Sequence, residues 1–203
     1  MKFLKSTAKN FFVKDGSKDF LYFFIGLVAL LIFTRVYMYE AEFLFPLGMG
    51  VLTSALFSYI CTDASFKEER KYLRDFRSRL SYIIAKDIFT FLFVGLVFLL
   101  VGFISTLGAK ANFYKFLSHI LLVLAGSNII LVYNNKILGS YKPGRKRNPK
   151  VDIKIGTKAL IAFIPYLVLN IILLFFIGRL NVILSLGLFL ISILSFAINA
   201  TNL

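Results

Sequence analysis

Residues 88–108 read IFTFLFVGLVFLLVGFISTLG, an apolar stretch without a single charge. A bilayer core about 30 Å thick needs about 20 such residues at a rise of about 1.5 Å per residue. Backbone polar groups at that depth have no water to bond, so the stretch is predicted to be a helix. Five similar runs accompany it, which gives six predicted spans at about 20–38, 43–62, 88–108, 116–133, 159–177 and 181–199.

The overall composition agrees with a membrane protein. Hydrophobic residues make up 59% of the 203 residues, above the ~45–50% apolar share of soluble domains. The mean hydropathy is +0.81. The spans and their short connectors account for nearly all of the chain, so we predict one transmembrane domain over 1–203. The expected fold class is all-α, a polytopic membrane protein with six transmembrane helices and an N-terminal amphipathic helix.

Basic residues concentrate in three segments of the chain. Five Lys lie in 1–19, seven Lys and Arg in 63–87 and eight in 134–158, which is 20 of the 24 in the sequence. The positive-inside bias therefore predicts a multi-pass protein of the cell membrane with both termini in the cytoplasm. The net charge of +14 also favours anionic lipid as a partner. Nucleic acid is not expected, because the basic residues follow the span boundaries.

The first 16 residues carry an amphipathic pattern. Phe3, Phe11 and other apolar residues recur at helical spacing, and Lys2, Lys5 and Lys9 fall between them. Such a helix lies in the membrane interface, so 1–16 is predicted to be an interfacial helix. The alternative is a basic tail that only sets the orientation of the chain.

The connector after the second span carries a narrow apolar ridge among charges. Phe66, Leu73 and Leu80 are seven residues apart, and Phe76 extends the ridge. We predict one charged amphipathic helix over 66–80, either a loop helix on the membrane or a docking helix for a cytoplasmic partner. The candidate docking residues are Phe66, Glu69, Leu73, Phe76 and Leu80.

The polar residues within the predicted spans are mostly uncharged. Small hydroxyl and amide side chains either pack helices together or line a transport path. The candidates are Ser54, Ser58, Ser127, Asn128 and Asn170. No Asp or Glu falls inside a predicted span, which argues against a proton- or sodium-coupled transporter.

Catalytic and metal-binding patterns are not found in the sequence. The single His119 and the single Cys61 are predicted at opposite membrane faces, so a Cys–His dyad is not expected. No Gly-Lys-Ser/Thr phosphate loop and no metal-ligand spacing occurs. We therefore expect no catalytic residues, no metal site and no cofactor bound by this chain.

The cytoplasmic connectors resemble those of the type-2 family of ABC transporter permeases. The similar stretches are Asp63-Ala64-Ser65-Phe66-Lys67-Glu68-Glu69-Arg70, then Ala85-Lys86-Asp87, and Lys154-Ile155-Gly156-Thr157-Lys158-Ala159. The resemblance implies a permease subunit of an ATP-driven exporter for a hydrophobic or amphipathic substrate, either a peptide or a lipid-like molecule. It also implies a separate cytoplasmic ATPase subunit that binds the ATP, and a second permease subunit in a homo- or heterodimer.

Two other classes remain open. The first is a non-catalytic accessory or immunity membrane protein without a transport role. The second, less favoured, is a membrane peptidase, because the accessory-gene-regulator peptidases are similar in length, span number and basic loops. Peptidase chemistry of that kind needs a His and a Cys close together on the cytoplasmic side, and the sequence places no such pair there.

Overall fold

The protein was analysed as a computed structural model. It describes residues 2–13, 22, 25–26, 28–33, 44–62, 69, 72–104, 113–138, 164–165, 168–173, 175 and 181–199. Within these residues the backbone is helical except at 72–75 and at Asn181, and no strand occurs. The prediction of an all-helical chain is therefore confirmed for the part of the chain that the structure describes.

Five helices have defined bounds. They are α1 Lys2–Val13, α2 Leu44–Thr62, α3 Phe76–Ile104, α4 Phe113–Leu138 and α5 Val182–Asn199. The described residues between 22 and 33, and between 164 and 175, are also helical. The predicted spans at 43–62 and 181–199 match α2 and α5 closely. By contrast, α3 begins at Phe76 rather than at 88, and α4 begins before 116 and ends after 133.

Three helices are long and apolar enough to cross a membrane among the described residues. They contain Phe76–Val101, Tyr114–Val132 and Val182–Asn199, and the apolar helix Phe45–Cys61 is shorter. These lengths and compositions fit a membrane location, because a span needs about 20 apolar residues. The structure therefore supports a membrane protein, and the number of six spans stays a prediction.

Helix α3 contacts all four other helices with defined bounds. It packs against α1, α2 and α5 and has a smaller contact with α4, and α4 packs against α2 and α5. The rings of Phe98 and Phe116 stack 3.8 Å apart between α3 and α4. At the other end of α3, Tyr82 stacks on Phe196 of α5 at 6.3 Å. Two buried ionisable residues, Lys86 and Asp87, lie between these aromatic contacts.

A cluster of buried polar side chains at the helix junctions

Lys86 of α3 is completely buried and joins three parts of the chain. Its Nζ lies 2.6 Å from Oε2 of Glu69 in the connector after α2. The same ammonium donates to Oγ1 of Thr7 in α1 at 2.9 Å. The ring of Tyr82 lies one turn away, with its centroid 5.0 Å from Nζ. Lys86 therefore ties the N-terminal helix and the connector to the base of α3.

The ion pair of Lys86 and Glu69 is isolated from solvent. The two side chains are 0% and 6% exposed. Buried ions lose their hydration, and the loss is offset only when the partner charge and further hydrogen bonds are in place. The Glu69 segment therefore cannot leave α3 without leaving a buried charge unpaired, and departure of α1 would remove the Thr7 hydrogen bond from the buried ammonium.

Asp87, the next residue, faces a different junction. Its Oδ2 accepts a hydrogen bond from Nδ2 of Asn128 in α4 at 3.1 Å. The same amide donates to Oγ of Ser192 in α5 at 3.2 Å. Asp87, Asn128 and Ser192 therefore join α3, α4 and α5 through buried polar contacts. The sequence placed Asp87 directly before the predicted span at 88, whereas the structure buries it within the longer helix α3.

A second polar contact lies between α2 and the helical residues 168–173. Asn170 donates from Nδ2 to Oγ of Ser54 at 2.8 Å, and both side chains are fully buried. Gly50 permits this close approach, because a Cβ there would overlap Oδ1 of Asn170 and press on Nε2 of His119. The imidazole of His119 also lies near the carbonyl of Pro46, and neither ring nitrogen forms a hydrogen bond of ordinary geometry with a described residue.

The polar residues predicted to line a transport path or pack helices do not lie together, because they take part in different helix–helix contacts. Ser54 pairs with Asn170, whereas Asn128 pairs with Asp87 and Ser192. Ser127 is fully buried and Ser58 is half-buried. Hydroxyl and amide groups that bond across helices in this way hold neighbouring helices together. The packing interpretation therefore accounts for the contacts of Ser54, Asn128 and Asn170.

The predicted docking helix over 66–80 is interrupted. Residues 72–75 form a turn and coil, with the amide of Tyr72 donating to the carbonyl of Glu69 at 3.2 Å, and α3 begins only at Phe76. Asp75 caps α3, because its carboxylate accepts from the amide of Ser78 while Ser78 Oγ accepts from the amide of Asp75. A single seven-residue ridge cannot run through this break.

The candidate docking residues consequently point in different directions. Glu69 and Leu73 are buried, Leu80 is half-buried and Phe76 is 44% exposed. Phe66 lies outside the described residues. Glu69 turns inward because its carboxylate pairs with Lys86, and Leu73 belongs to the hydrophobic core. Of the described members of the predicted ridge, Phe76 alone offers a well-exposed apolar surface.

Thr7, Lys86 and Asp87 were missed as members of a buried cluster. Their sequence signal is the Lys-Asp pair directly before the apolar run at 88, with Ile83, Ile84 and Ala85 directly preceding it. A charged pair enclosed by apolar residues on one helix is expected to find buried partners. The segment 76–87 was assigned to the connector before the third predicted span, which concealed that signal.

The single His and the single Cys lie far apart. His119 approaches Gly50 near the beginning of α2, and Cys61 is buried at the other end of that helix. Eleven helical residues separate Gly50 from Cys61, roughly 16 Å along the axis. A nucleophile and its base must be within hydrogen-bond reach, so these two residues do not form a dyad.

No group of three or more His, Cys, Asp or Glu side chains able to hold a metal occurs in the described ranges.

Comparison with known proteins gives no further assignment. No family model, no curated protein and no solved structure matches the chain.

Proposed function

We propose that this chain is the permease subunit of an ATP-driven ABC exporter, working with a separate cytoplasmic ATPase subunit and a second permease subunit. The observation that carries the proposal is the buried junction at Lys86. This junction links the N-terminal helix, the connector after α2 and the base of α3 into one unit. The resemblance of the connector to type-2 ABC permeases involves the same residues, Glu69 and Lys86.

A permease driven by another subunit needs a stiff connection between its cytoplasmic surface and its spans. The ion pair and the hydrogen bond of Thr7 provide one, because breaking the ion pair would leave a buried charge unpaired and moving α1 away would remove a hydrogen bond from the ammonium. Displacement of the connector would therefore move α1 and α3 together. Asp87, the adjacent residue, passes the same displacement to α4 through Asn128.

The surface beside the junction is the proposed contact for the ATPase. Tyr72 and Phe76 are 58% and 44% exposed, and Arg74 and Arg77 are exposed next to them. Exposed aromatic side chains next to Arg are typical of protein-binding surfaces. This surface replaces the continuous ridge that the sequence predicted. Lys2 of α1 belongs to the same end, since its Nζ lies 4.6 Å from the centroid of the Tyr72 ring.

The finer membrane arrangement is part of the proposal. We propose six spans in the cell membrane, cytoplasmic termini and α1 at the cytoplasmic interface. Lys2, Lys5 and Lys9 are exposed on α1, whereas Phe3 and Phe11 are buried, which supports contact of the lysines with anionic lipid. The exported substrate is hydrophobic or amphipathic, a peptide or a lipid-like molecule, because the exposed helix faces are largely apolar.

Co-purification tests the proposal. The tagged full-length chain is isolated in mild detergent from its native membrane, and the partner is tested for ATP hydrolysis. The double variant Tyr72→Asp, Phe76→Asp is expected to lose the ATPase while its melting temperature stays close to that of the wild type. Tyr114→Asp is the matched control, because Tyr114 is an exposed aromatic residue at the beginning of α4.

Two results would contradict this proposal. A wild-type chain that purifies without any ATPase would favour the accessory or immunity protein instead. An ATPase recovered equally with the Tyr72, Phe76 variant and with the Tyr114 variant would show that the contact surface lies elsewhere.

A further inference from the structure

Asp87 is a carboxyl group in an apolar helix with one hydrogen-bonding partner. Its side chain is buried, and Oδ1 makes no hydrogen bond to a described residue. The buried salt bridge of Lys86 is made to Glu69 and not to Asp87. An ionised carboxylate in such a place is very unfavourable, so the group either becomes neutral or acquires a partner charge.

The neighbouring hydrogen bonds establish which atoms lack a donor. Ser192 gives its hydroxyl hydrogen to the carbonyl of Phe189 at 2.7 Å, so it can only accept from Asn128. That orients the amide of Asn128 with Nδ2 towards both Ser192 and Asp87, and both of its hydrogens are used. Two acceptors remain without a donor, Oδ1 of Asp87 and Oδ1 of Asn128. A proton on Oδ1 of Asp87 would convert one of these two acceptors into a donor.

None of the described charged or titratable side chains on the helices packed around α3 pairs with Asp87. Lys2, Lys5 and Lys9 of α1 are exposed, and Lys86 pairs with Glu69. Helix α5 carries no titratable side chain. Among residues 45–61 of α2 and 114–132 of α4, whose side chains the structure describes, the titratable groups are Tyr59, Cys61, Tyr114, Lys115 and His119. None of these groups forms a hydrogen bond or salt bridge with Asp87 among the described residues.

We propose that Asp87 and Asn128 form a binding site for a single proton inside the helix bundle. With the proton on Oδ1, Asp87 donates to Oδ1 of Asn128 while Nδ2 of Asn128 donates to Oδ2. The pair is then neutral and has two hydrogen bonds in place of one. A monovalent metal ion is the competing occupant, and it would require a larger set of oxygen ligands than these two free acceptors.

The site joins helices, so its occupancy affects their packing. Loss of the proton leaves a buried negative charge and removes one of the two hydrogen bonds between α3 and α4. The protonated pair therefore holds α3, α4 and α5 together, and proton release loosens this junction. This property belongs to Asp87 and Asn128 themselves and stands whether or not the chain binds an ATPase.

Infrared spectroscopy of the full chain in lipid nanodiscs at neutral pH tests the proposal. The wild type is expected to show the carbonyl band of a protonated carboxyl group, and this band should move when the protein contains ¹³C-labelled aspartate. The band should disappear in Asp87→Asn and shift in Asn128→Leu, which removes the amide partner. Asp75→Asn is the matched control, because Asp75 is exposed, and this variant should keep the band.

Each alternative gives a distinct result. Absence of the band in the wild type, or a band that ¹³C-aspartate does not move, would overturn the assignment. A second result would also overturn it: a melting temperature higher in a sodium salt than in a choline salt for the wild type, without such a difference for Asp87→Asn. A metal ion would then be the occupant. If Asp87→Asn does not fold, the isotope shift and the Asn128→Leu shift still decide the question.

Discussion

Lys86 and Asp87 are neighbours in the sequence but belong to different junctions. Consecutive residues on an α-helix point about 100° apart, since a turn takes about 3.6 residues. Lys86 therefore faces Thr7 and Glu69, while Asp87 faces Asn128. Two adjacent ionisable residues thus connect α3 to three other parts of the chain: α1, the Glu69 segment and α4.

The ion pair of Lys86 provides the first prediction. Lys86→Met removes one buried charge and leaves Glu69 without its partner, which should destabilise the protein by about 3–5 kcal/mol. Thermal unfolding in detergent measures the loss. The double variant Lys86→Met, Glu69→Leu should recover a large part of it, because no buried charge then remains. A double variant no more stable than Lys86→Met would contradict the assignment of the loss to an unpaired Glu69.

The cap of α3 provides a prediction about pH. The side-chain hydrogen bond from Ser78 holds the pKa of the Asp75 carboxyl below its usual value. Because the folded-state pKa is the lower one, the cap is fully effective above the unfolded value and is lost as pH falls through the folded value. We expect Asp75→Ala to speed amide exchange in the first turn of α3 at neutral pH, and to have little effect at a pH below the folded value. Equal effects at both pH values would be inconsistent with capping by the carboxylate.

Helix α1 runs parallel to the first half of α3. Phe3 contacts Tyr82 with ring centroids 5.6 Å apart, Thr7 bonds Lys86, and Phe11 contacts Phe89 at 5.4 Å. These α1 residues are four apart and therefore share one face of the helix. The same face supplies apolar contacts at both ends and the hydroxyl acceptor for Lys86 between them. Helix α1 is therefore an integral part of the α3 junction.

Two adjacent phenylalanines test this packing. Phe11 is 2% exposed and contacts Tyr59, Phe89 and Phe93, whereas Phe12 is 66% exposed. Phe11→Ala should destabilise the protein by about 3–5 kcal/mol, because it leaves a cavity. Phe12→Ala should change the free energy of unfolding by no more than about 0.5 kcal/mol. Similar losses for the two variants in chemical unfolding would contradict the docking of α1 on α3.

Aromatic and polar contacts give the directions of the helices. Phe98 stacks on Phe116, and Asp87 accepts a hydrogen bond from Asn128. The residue numbers rise along α4 as they fall along α3, so these two helices are antiparallel. Tyr82 meets Phe196, and Ser192 shares Asn128 with Asp87, so α5 is also antiparallel to α3. Helices α4 and α5 therefore run in the same direction.

The proposed topology gives the final prediction. Single cysteines replace Ser17, Ala111, Gly144 or Asn202 in a Cys61→Ser background, and intact cells are treated with an impermeant thiol reagent. Only position 111 should be labelled, because the basic segments are expected on the cytoplasmic side. Labelling of 17 or 144 from outside would reverse the proposed orientation. Membranes opened before labelling are the control that the other three positions react.

Helical class and membrane character followed from the sequence because they depend on local properties. An apolar run of sufficient length must satisfy its own backbone hydrogen bonds, and this requirement alone predicts α2 and α5 nearly to the residue. The spacing of Phe3 and Phe11 among the lysines likewise predicted a helix at the N-terminus, and α1 lies there.

The roles of Glu69, Lys86 and Asp87 were decided only by the tertiary structure. The sequence predicted all three in the cytoplasmic connector, with Glu69 as a candidate docking residue, and predicted no buried partner for any of them. Their partners lie far along the chain: Glu69 is 17 residues from Lys86, Asn128 is 41 from Asp87, and Thr7 is 79 from Lys86. No local sequence pattern indicates which residues so far apart in the chain will come into contact. Burial of these side chains became favourable only when folding brought their hydrogen-bonding partners within reach, and that placed the candidate site inside the bundle.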